Sequence, residues 1–194
     1  KRKQTLSYRG QRPSLHERDS QRSRLYAAER VGLFSMDQKR FTDKVEMQQY
    51  LDKLTSSAWW ERRYGTRWKV ELRFISHVRG AWSYGGRRGH IKLRSKMEWD
   101  GTPGLPIALL CHEIAHNVVH AQFGYYVAGH GRQFCKVYLE IVRHVMGDEA
   151  WRCLKDAMVE RRVKHTLPRT LSPEAKAAAA ERLAKVRAAA TSSS

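Results

Sequence analysis

The residues with the clearest chemical potential are two histidines and a glutamate within five positions, His112-Glu113-Ile114-Ala115-His116. They form an H-E-x-x-H motif inside an apolar segment that predicts a helix. Four residues advance a helix by about 400°, so both histidines project from one face, one turn apart. Two imidazoles so placed can hold one Zn²⁺, and Glu113 beside them can take a proton from an attacking water. The motif predicts a zinc-dependent hydrolase.

A catalytic zinc keeps one position open, so one further protein ligand is expected. His130 is the best candidate. Thirteen residues separate it from His116, which leaves room for the chain to turn at Gly124 and return. Glycines on both sides of His130 allow its backbone to approach a metal closely.

Four other residues could supply the third ligand but fit less well. Glu140, on the following predicted helix, is the alternative third ligand. His120 continues the four-residue spacing but drifts a further 40° or so around the helix, so it is expected at the surface or behind the ligands. His90 and His77 fall on strands or loops that nothing directs to the site.

Hydrophobic periodicity predicts the elements that must position these residues. The metal-binding helix is expected over 105–123 and ends at Gly124, and Gly147-Asp148 separates two later helices. The fold class is therefore α+β, with a strand or short helix at 23–29, helices at 43–64, 131–145 and 149–164, and strands at 69–76, 81–84 and 90–94.

Composition divides the chain into three parts. Residues 1–22 are basic and aperiodic and predict a flexible arm, whereas 23–165 form the domain. Residues 166–194 are rich in Ala, Lys and Arg and predict a partly helical tail with too few large apolar residues to dock firmly. No apolar run is long enough for a membrane span, and no secretory leader is evident.

Charge indicates the class of partner. The chain has 37 Lys and Arg against 19 Asp and Glu, a net charge of +18 with a pI near 10.3. This favours nucleic acid, an anionic surface or acidic protein over a cationic partner. The excess lies at both ends and in residues 60–100, while residues 101–149, which hold the histidine motif, carry a net charge of −1.

Within 58–99, arginines alternate with aromatic residues, a composition that favours phosphate contacts and base stacking. Trp60 and Trp68 are expected in the core. No recognised nucleic-acid motif is present, so binding is expected to be non-specific and salt-dependent. The candidate nucleic-acid residues are Arg62, Arg63, Arg67, Arg79, Arg87, Arg88, Lys92 and Arg94.

The chain contains three cysteines, Cys111, Cys135 and Cys153, and no C-x-x-C pair. A disulfide framework and a zinc ribbon are therefore not expected, and a reducing cytoplasm is the natural compartment. Cys111 and Cys135 fall in predicted buried helices, where free cysteine behaves as a small apolar residue.

The chain resembles the SprT-like zinc metallopeptidases, and most closely a small bacterial branch of HExxH metallohydrolases. The resemblance covers about residues 23–165 and rests on the strand Ile91-Lys92-Leu93, the motif His112-Glu113-Ile114-Ala115-His116, and Gly129-His130-Gly131-Arg132-Gln133-Phe134 at a helix start.

This resemblance implies a zincin-like fold, with a small twisted, mostly antiparallel sheet packed on the HExxH helix. It implies His112, His116 and His130 as ligands, Glu113 as general base, and peptide-bond hydrolysis. DNA-repair relatives cleave proteins on DNA. The zinc ribbon of many members is missing here, so a DNA role carried by that ribbon is not inherited.

Three functions remain open at the level of sequence. The first is a metallopeptidase that its basic surface directs to nucleic-acid-bound protein. The second is a zinc hydrolase of RNA or another non-peptide substrate, and the third is a nucleic-acid or ribonucleoprotein-binding protein with a structural zinc. Tyr125, Tyr126 and Arg132 are candidate donors to the transition state. The basic strand at 91–94 is a candidate for pairing with an extended, acidic substrate.

Overall fold

The computed structural model describes residues 19–65, 68–76, 81–84 and 86–167. This part of the chain contains five α-helices and a short 3₁₀ helix, η1, at Gly86–Arg88. The α-helices are α1 (Arg22–Gly32), α2 (Lys44–Thr55), α3 (Ala58–Tyr64), α4 (Ile107–Phe123) and α5 (Arg132–Glu160).

The described strands form three small sheets. In the largest, β4 (His90–Arg94) lies between β2 (Glu71–Ile75) and β3 (Trp82–Tyr84), parallel to β2 and antiparallel to β3. The two remaining sheets are antiparallel pairs. They join β1 (Arg40–Phe41) to β7 (Leu105–Pro106), and β5 (Glu98–Trp99) to β6 (Thr102–Pro103).

Helix α4 is the centre of the molecule. Twelve of its seventeen residues are buried, because its sequence is apolar on nearly every face. Helix α5 packs against it on one side, and β3 and η1 pack against it on another. Gly124, with φ of 75°, ends α4 in the conformation that favours glycine. The helix with the histidine motif is therefore held from several directions.

Helix α1 packs on α5, and Gly32 allows the close approach. A Cβ atom at this position would lie 2.9 Å from the carbonyl oxygen of Cys153 and from the Cα of Leu154. Contacts of that length are repulsive, so only glycine fits between the two backbones. This approach fixes the position of α1, and with it the side chains that α1 directs toward α4.

The described elements are a mixture of helices and small sheets, which is compatible with the predicted α+β class, while the boundaries differ in two places. The predicted helix at 43–64 is two helices, because Ser57 caps α3 by accepting a hydrogen bond from the backbone N–H of Trp60. Segment 22–32, expected as a strand or short helix from 23 to 29, is helical. Gly147, with φ of 90°, kinks α5 at the predicted break between the two later helices.

Two further expectations concern the N-terminal arm and β4. Within the predicted arm, 1–22, Gln21 is buried and Arg22 is the first residue of α1. Strand β4 pairs with β2 along its whole length and with β3 at His90, Ile91 and Lys92, so the first half of the segment predicted to pair with an extended substrate is already paired on both sides. Residues 1–18 of the arm and 168–194 of the tail lie outside the described residues.

Within the described ranges, no helix combines the length and the apolarity needed to cross a membrane. The three cysteines are free thiols, with Cys111 and Cys135 buried as predicted and Cys153 exposed.

Candidate metal centre

Three histidines converge at one point between α4 and the start of α5. The Nε2 atom of His112 lies 3.2 Å from the Nε2 of His116 and 3.3 Å from the Nε2 of His130. The ligand atoms of the three side chains all lie within 4.8 Å of one another. Helix α4 supplies the first two rings from one face, as the four-residue spacing predicts, and the chain returns after Gly124 to supply the third.

These separations fit a shared metal ion. Two nitrogens that bind Zn²⁺ at 2.0–2.1 Å with a tetrahedral angle between them lie about 3.3–3.4 Å apart. The two measured separations are close to that value. The predicted clustering of His112, His116 and His130 is therefore confirmed, and the three side chains are close enough to hold a metal ion.

Two carboxylates orient the rings from behind. The Nδ1 atom of His112 lies 2.5 Å from Oε1 of Glu29, and the Nδ1 of His130 lies 2.6 Å from Oδ2 of Asp19. A carboxylate only accepts, so each Nδ1 carries the proton and each Nε2 lone pair points to the centre. Histidine ligands of metal sites commonly have such partners, which fix the tautomer and strengthen the donor nitrogen.

The segment that carries Asp19 is itself fixed by Gln21. The amide Nε2 of Gln21 donates to the backbone oxygens of His130, at 2.7 Å, and Lys164, at 3.0 Å. Its Oε1 accepts from the backbone N–H of Lys164 at 2.9 Å. The backbone N–H of His130 also donates to Asp19 Oδ1 at 3.2 Å. Residues from both ends of the described chain thus meet behind the third histidine.

Electrostatics keeps two of the rings neutral. Burial lowers the pKa of His116 well below its usual range, and the neighbouring His112 and His130 lower it further. Burial likewise lowers the pKa of His130. For His112, burial acts to lower the pKa, but the charge and hydrogen bond of Glu29 outweigh it and the pKa is raised. Glu29 therefore supplies negative charge directly to the central ring.

A cleft of about 610 Å³ opens beside the histidines and has the size of a ligand site. Glu113, which is 4% exposed, lines it together with His112 and Tyr26. One wall is apolar, because the rings of Phe34 and Trp99 stack with centroids 5.7 Å apart. The cleft therefore brings a carboxylate and an apolar surface to the edge of the metal centre.

Tyr26 is a site residue that the sequence reasoning missed. Its ring lies 5.1 Å from the ring of His130 and 5.8 Å from that of His112. Its hydroxyl oxygen accepts a hydrogen bond from Nε of Arg22 at 3.2 Å. Burial raises the pKa of Tyr26, so its hydroxyl stays protonated and can donate.

The alternative third ligand, Glu140, lies elsewhere. Its carboxylate accepts hydrogen bonds from Arg63, at 2.5 and 3.0 Å, and from Lys136, at 2.5 Å. These two cations lower the pKa of Glu140, although burial opposes them. His120 also stays outside the cluster, with its ring 4.5 Å from that of Tyr125.

The predicted transition-state donors do not line this cleft. Tyr125 and Tyr126 are exposed on the connection after α4, and Arg132 donates to the backbone oxygen of Thr166 at 3.1 Å. His90 lies on β4, and His77 is outside the described residues. Burial raises the pKa of Cys111 and Cys135, so neither thiol is suited to bind as a thiolate.

The eight candidate nucleic-acid residues separate into different environments. Arg63 is ion-paired with Glu140, Arg62 is exposed, and Lys92 and Arg94 are half-buried on β4. Arg87 and Arg88 are exposed on η1, whereas Arg67 and Arg79 lie outside the described residues. Trp60 and Trp68 are in the core, as expected.

The missed residues had no local signal. Asp19 is 111 residues from His130 and Glu29 is 83 from His112, so no short motif contains either pair. The only hint was composition, since both are acidic residues in a basic N-terminal segment. No protein-family model, curated protein or solved structure matches this chain.

Replacing His130 tests the third ligand. We expect His130→Ala to lose most of its bound metal, because two histidines on one helix cannot complete the site. Metal content of the purified variant, determined by mass spectrometry, gives the result. His120→Ala and Glu140→Gln are matched controls and should keep the metal. If His130→Ala kept its metal and Glu140→Gln lost it, Glu140 rather than His130 would be the third ligand.

Asp19→Ala tests the orienting carboxylate. The substitution removes both hydrogen bonds to His130 and should lower metal affinity by about 10–100-fold. Competition titration with a chromophoric chelator measures the change, and Asp37→Ala, at an exposed position, is the control. Equal affinities for both variants would show that Asp19 does not position the ring.

Proposed function

We propose that the protein is a zinc-dependent metallopeptidase. The observation that carries the proposal is the position of Glu113. This carboxylate follows one metal-facing histidine in sequence, is nearly buried, and lines the cleft that reaches the histidine cluster. A general base has to lie within reach of both the attacking water and the substrate, and the cleft is where both would meet.

Zinc is the ion that this donor set suits best. Three neutral imidazoles are a common set of protein ligands for catalytic zinc, whereas structural zinc takes four protein ligands. Among the described residues the cluster has three ligands, which supports a catalytic site with one open position. When bound, the ion would lower the pKa of water and polarise a carbonyl oxygen.

The chain's own residues would manage the protons. Glu113 accepts a proton from the attacking water and returns it to the leaving amine. Tyr26, which lines the same cleft beside His130, donates a hydrogen bond to the oxygen of the carbonyl under attack. Tyr26 takes the role that the sequence had suggested for Tyr125, Tyr126 or Arg132.

The shape of the cleft supports a peptide as substrate. Phe34, Trp99 and Leu109 offer an apolar surface next to Glu113, which suits a large apolar side chain beside the scissile bond. The H-E-x-x-H motif and the setting of His130 are the basis for proposing membership of the SprT-like group and a zincin-like fold. Free thiols fit a reducing compartment, so we propose the cytoplasm as its location.

A second candidate is hydrolysis of RNA or another non-peptide substrate. Arg22 and Arg30 also line the cleft, and guanidinium groups are the preferred side chains for binding phosphate. The peptidase is favoured because the lining of the cleft that Glu113 shares includes the stacked Phe34 and Trp99.

Glu113→Gln tests the mechanism. We expect the variant to keep its metal while hydrolysis falls by at least about 100-fold, because the amide cannot accept the proton. Casein and a structured RNA, each incubated with the wild type and the variant, identify the substrate class. Casein hydrolysis that survives the substitution would exclude Glu113 as the base. Loss of RNA cleavage alone would favour the second candidate.

Tyr26→Phe tests the proposed donor. Loss of the hydroxyl should lower kcat by about 100-fold and leave KM and metal content little changed, because the hydrogen bond is made in the transition state. Steady-state kinetics on a fluorogenic peptide measures both constants. Tyr125→Phe is the matched control with full activity. A rise in KM at constant kcat would assign Tyr26 to substrate binding instead.

A further inference from the structure

A second concave surface, of about 710 Å³, lies away from the histidine cluster and shares no lining residue with it. We call this surface the basic groove. Three parts of the chain form it: the end of α2, the approach to β2, and η1. Its lining residues are Asp52, Lys53, Ser56, Trp68, Lys69, Arg87 and Arg88.

The basic groove holds four cations and one acid. Asp52, the acid, accepts a hydrogen bond from Nε2 of Gln48 at 2.8 Å. Elsewhere many cations are neutralised, as in the pairs of Arg63 with Glu140 and Arg143 with Asp148. In contrast, the cations of the basic groove, Lys53, Lys69, Arg87 and Arg88, form no ion pair with another described residue.

Two contacts join the approach of β2 to η1, which carry three of these cations. The backbone N–H of Lys69 donates to the backbone oxygen of Arg87 at 3.0 Å, which joins η1 to the approach of β2. The guanidinium of Arg87 lies 6.0 Å from the ring centroid of Trp68, a cation–π distance. These contacts bring the backbone of Lys69 and the side chain of Arg87 together, and the groove has one acid, Asp52, against four cations.

The simplest alternative explanation for these cations is the negative, C-terminal end of the α2 helix dipole. That effect fades beyond the last helical turn and accounts for Lys53, which lies in that turn. It does not account for Lys69, Arg87 and Arg88, which come from other elements. A concave surface that gathers unpaired cations from three elements is suited to a chain of regularly spaced anions.

We propose that the basic groove binds the phosphate backbone of nucleic acid. Trp68 is only 4% exposed, so the groove offers no open aromatic face for base stacking. The groove therefore recognises phosphates alone. Binding does not depend on the nucleotide sequence, and both double-stranded and single-stranded nucleic acid can bind. Only Arg87 and Arg88 of the predicted nucleic-acid residues line the groove, and Lys53 and Lys69 complete it.

The basic groove goes beyond the proposed hydrolytic activity and does not require it. Its element η1 packs directly on α4, the helix with two of the metal ligands. Nucleic acid on this surface would therefore be held against the same framework that carries the metal centre.

The test is fluorescence anisotropy of the full chain on a labelled duplex of about 20 base pairs, from about 50 to 300 mM salt. Lys53→Gln combined with Arg88→Gln should lower the slope of log K against log salt by about 2, and weaken binding about tenfold or more at 100 mM salt. Arg152→Gln combined with Lys164→Gln is the matched control, since both residues are exposed and lie outside the groove. The control should change this slope less than the groove variant does.

An equal slope for the groove variant and the control would overturn the proposal, as would wild-type protein that does not bind at about 50 mM salt. Poly-glutamate that displaces the duplex at equal charge would show a site for acidic protein instead, and would also overturn it. Matching thermal midpoints and metal contents would show that both variants fold.

Two further measurements separate this proposal from the hydrolase. The groove variant should cleave a short peptide as the wild type does, and Glu113→Gln should bind the duplex as the wild type does. If no preparation cleaves peptide and only the groove variant loses duplex binding, the basic groove stands and the proposed peptidase fails.

Discussion

The metal centre depends on two hydrogen bonds that reach across the chain, from Glu29 to His112 and from Asp19 to His130. Each places a proton on Nδ1 and directs the Nε2 lone pair inward. Neither bond forms unless α1 lies close to α4 and α5. Gly32 allows that approach, since any larger residue would meet the backbone of α5. The orientation of the His112 and His130 rings thus depends on how closely α1 and α5 pack.

The local parts of the site could be predicted from sequence, because they follow from helical spacing. His112, Glu113 and His116 lie within five residues, and α4 places them as a helix must. His130 followed from the length of the intervening chain. Asp19, Glu29 and Tyr26 could not be found this way, because their roles arise only from tertiary packing over long separations. The central position of β4 in its sheet could not be predicted for the same reason, because it depends on pairing with two other strands.

Net charge was a weaker guide than local pairing. The sequence grouped eight basic residues from 62 to 94 as one surface, but the described structure assigns Arg63 to an ion pair and places Lys92 and Arg94 partly inside. Lys53 belongs to a segment of zero net charge, 31–59, and still lies in the basic groove. Whether a cation forms an ion pair depends on which acidic residues the fold places next to it. The net charge of a segment does not contain that information.

The net positive charge of the whole chain opposes the binding of a metal cation, and the groups around the metal centre offset this effect locally. A net charge of +18 disfavours a divalent cation anywhere on the surface. Salt screens distant charges within about 8–10 Å, so the groups close to the ion decide. Two buried carboxylates, Glu29 and Glu113, lie with the partly exposed Asp19 around or beside three histidines, two of which are kept neutral by burial. These carboxylates therefore offset the positive charge of the protein next to the histidines, which permits one chain to hold a metal cation at its centre and unpaired cations in the basic groove.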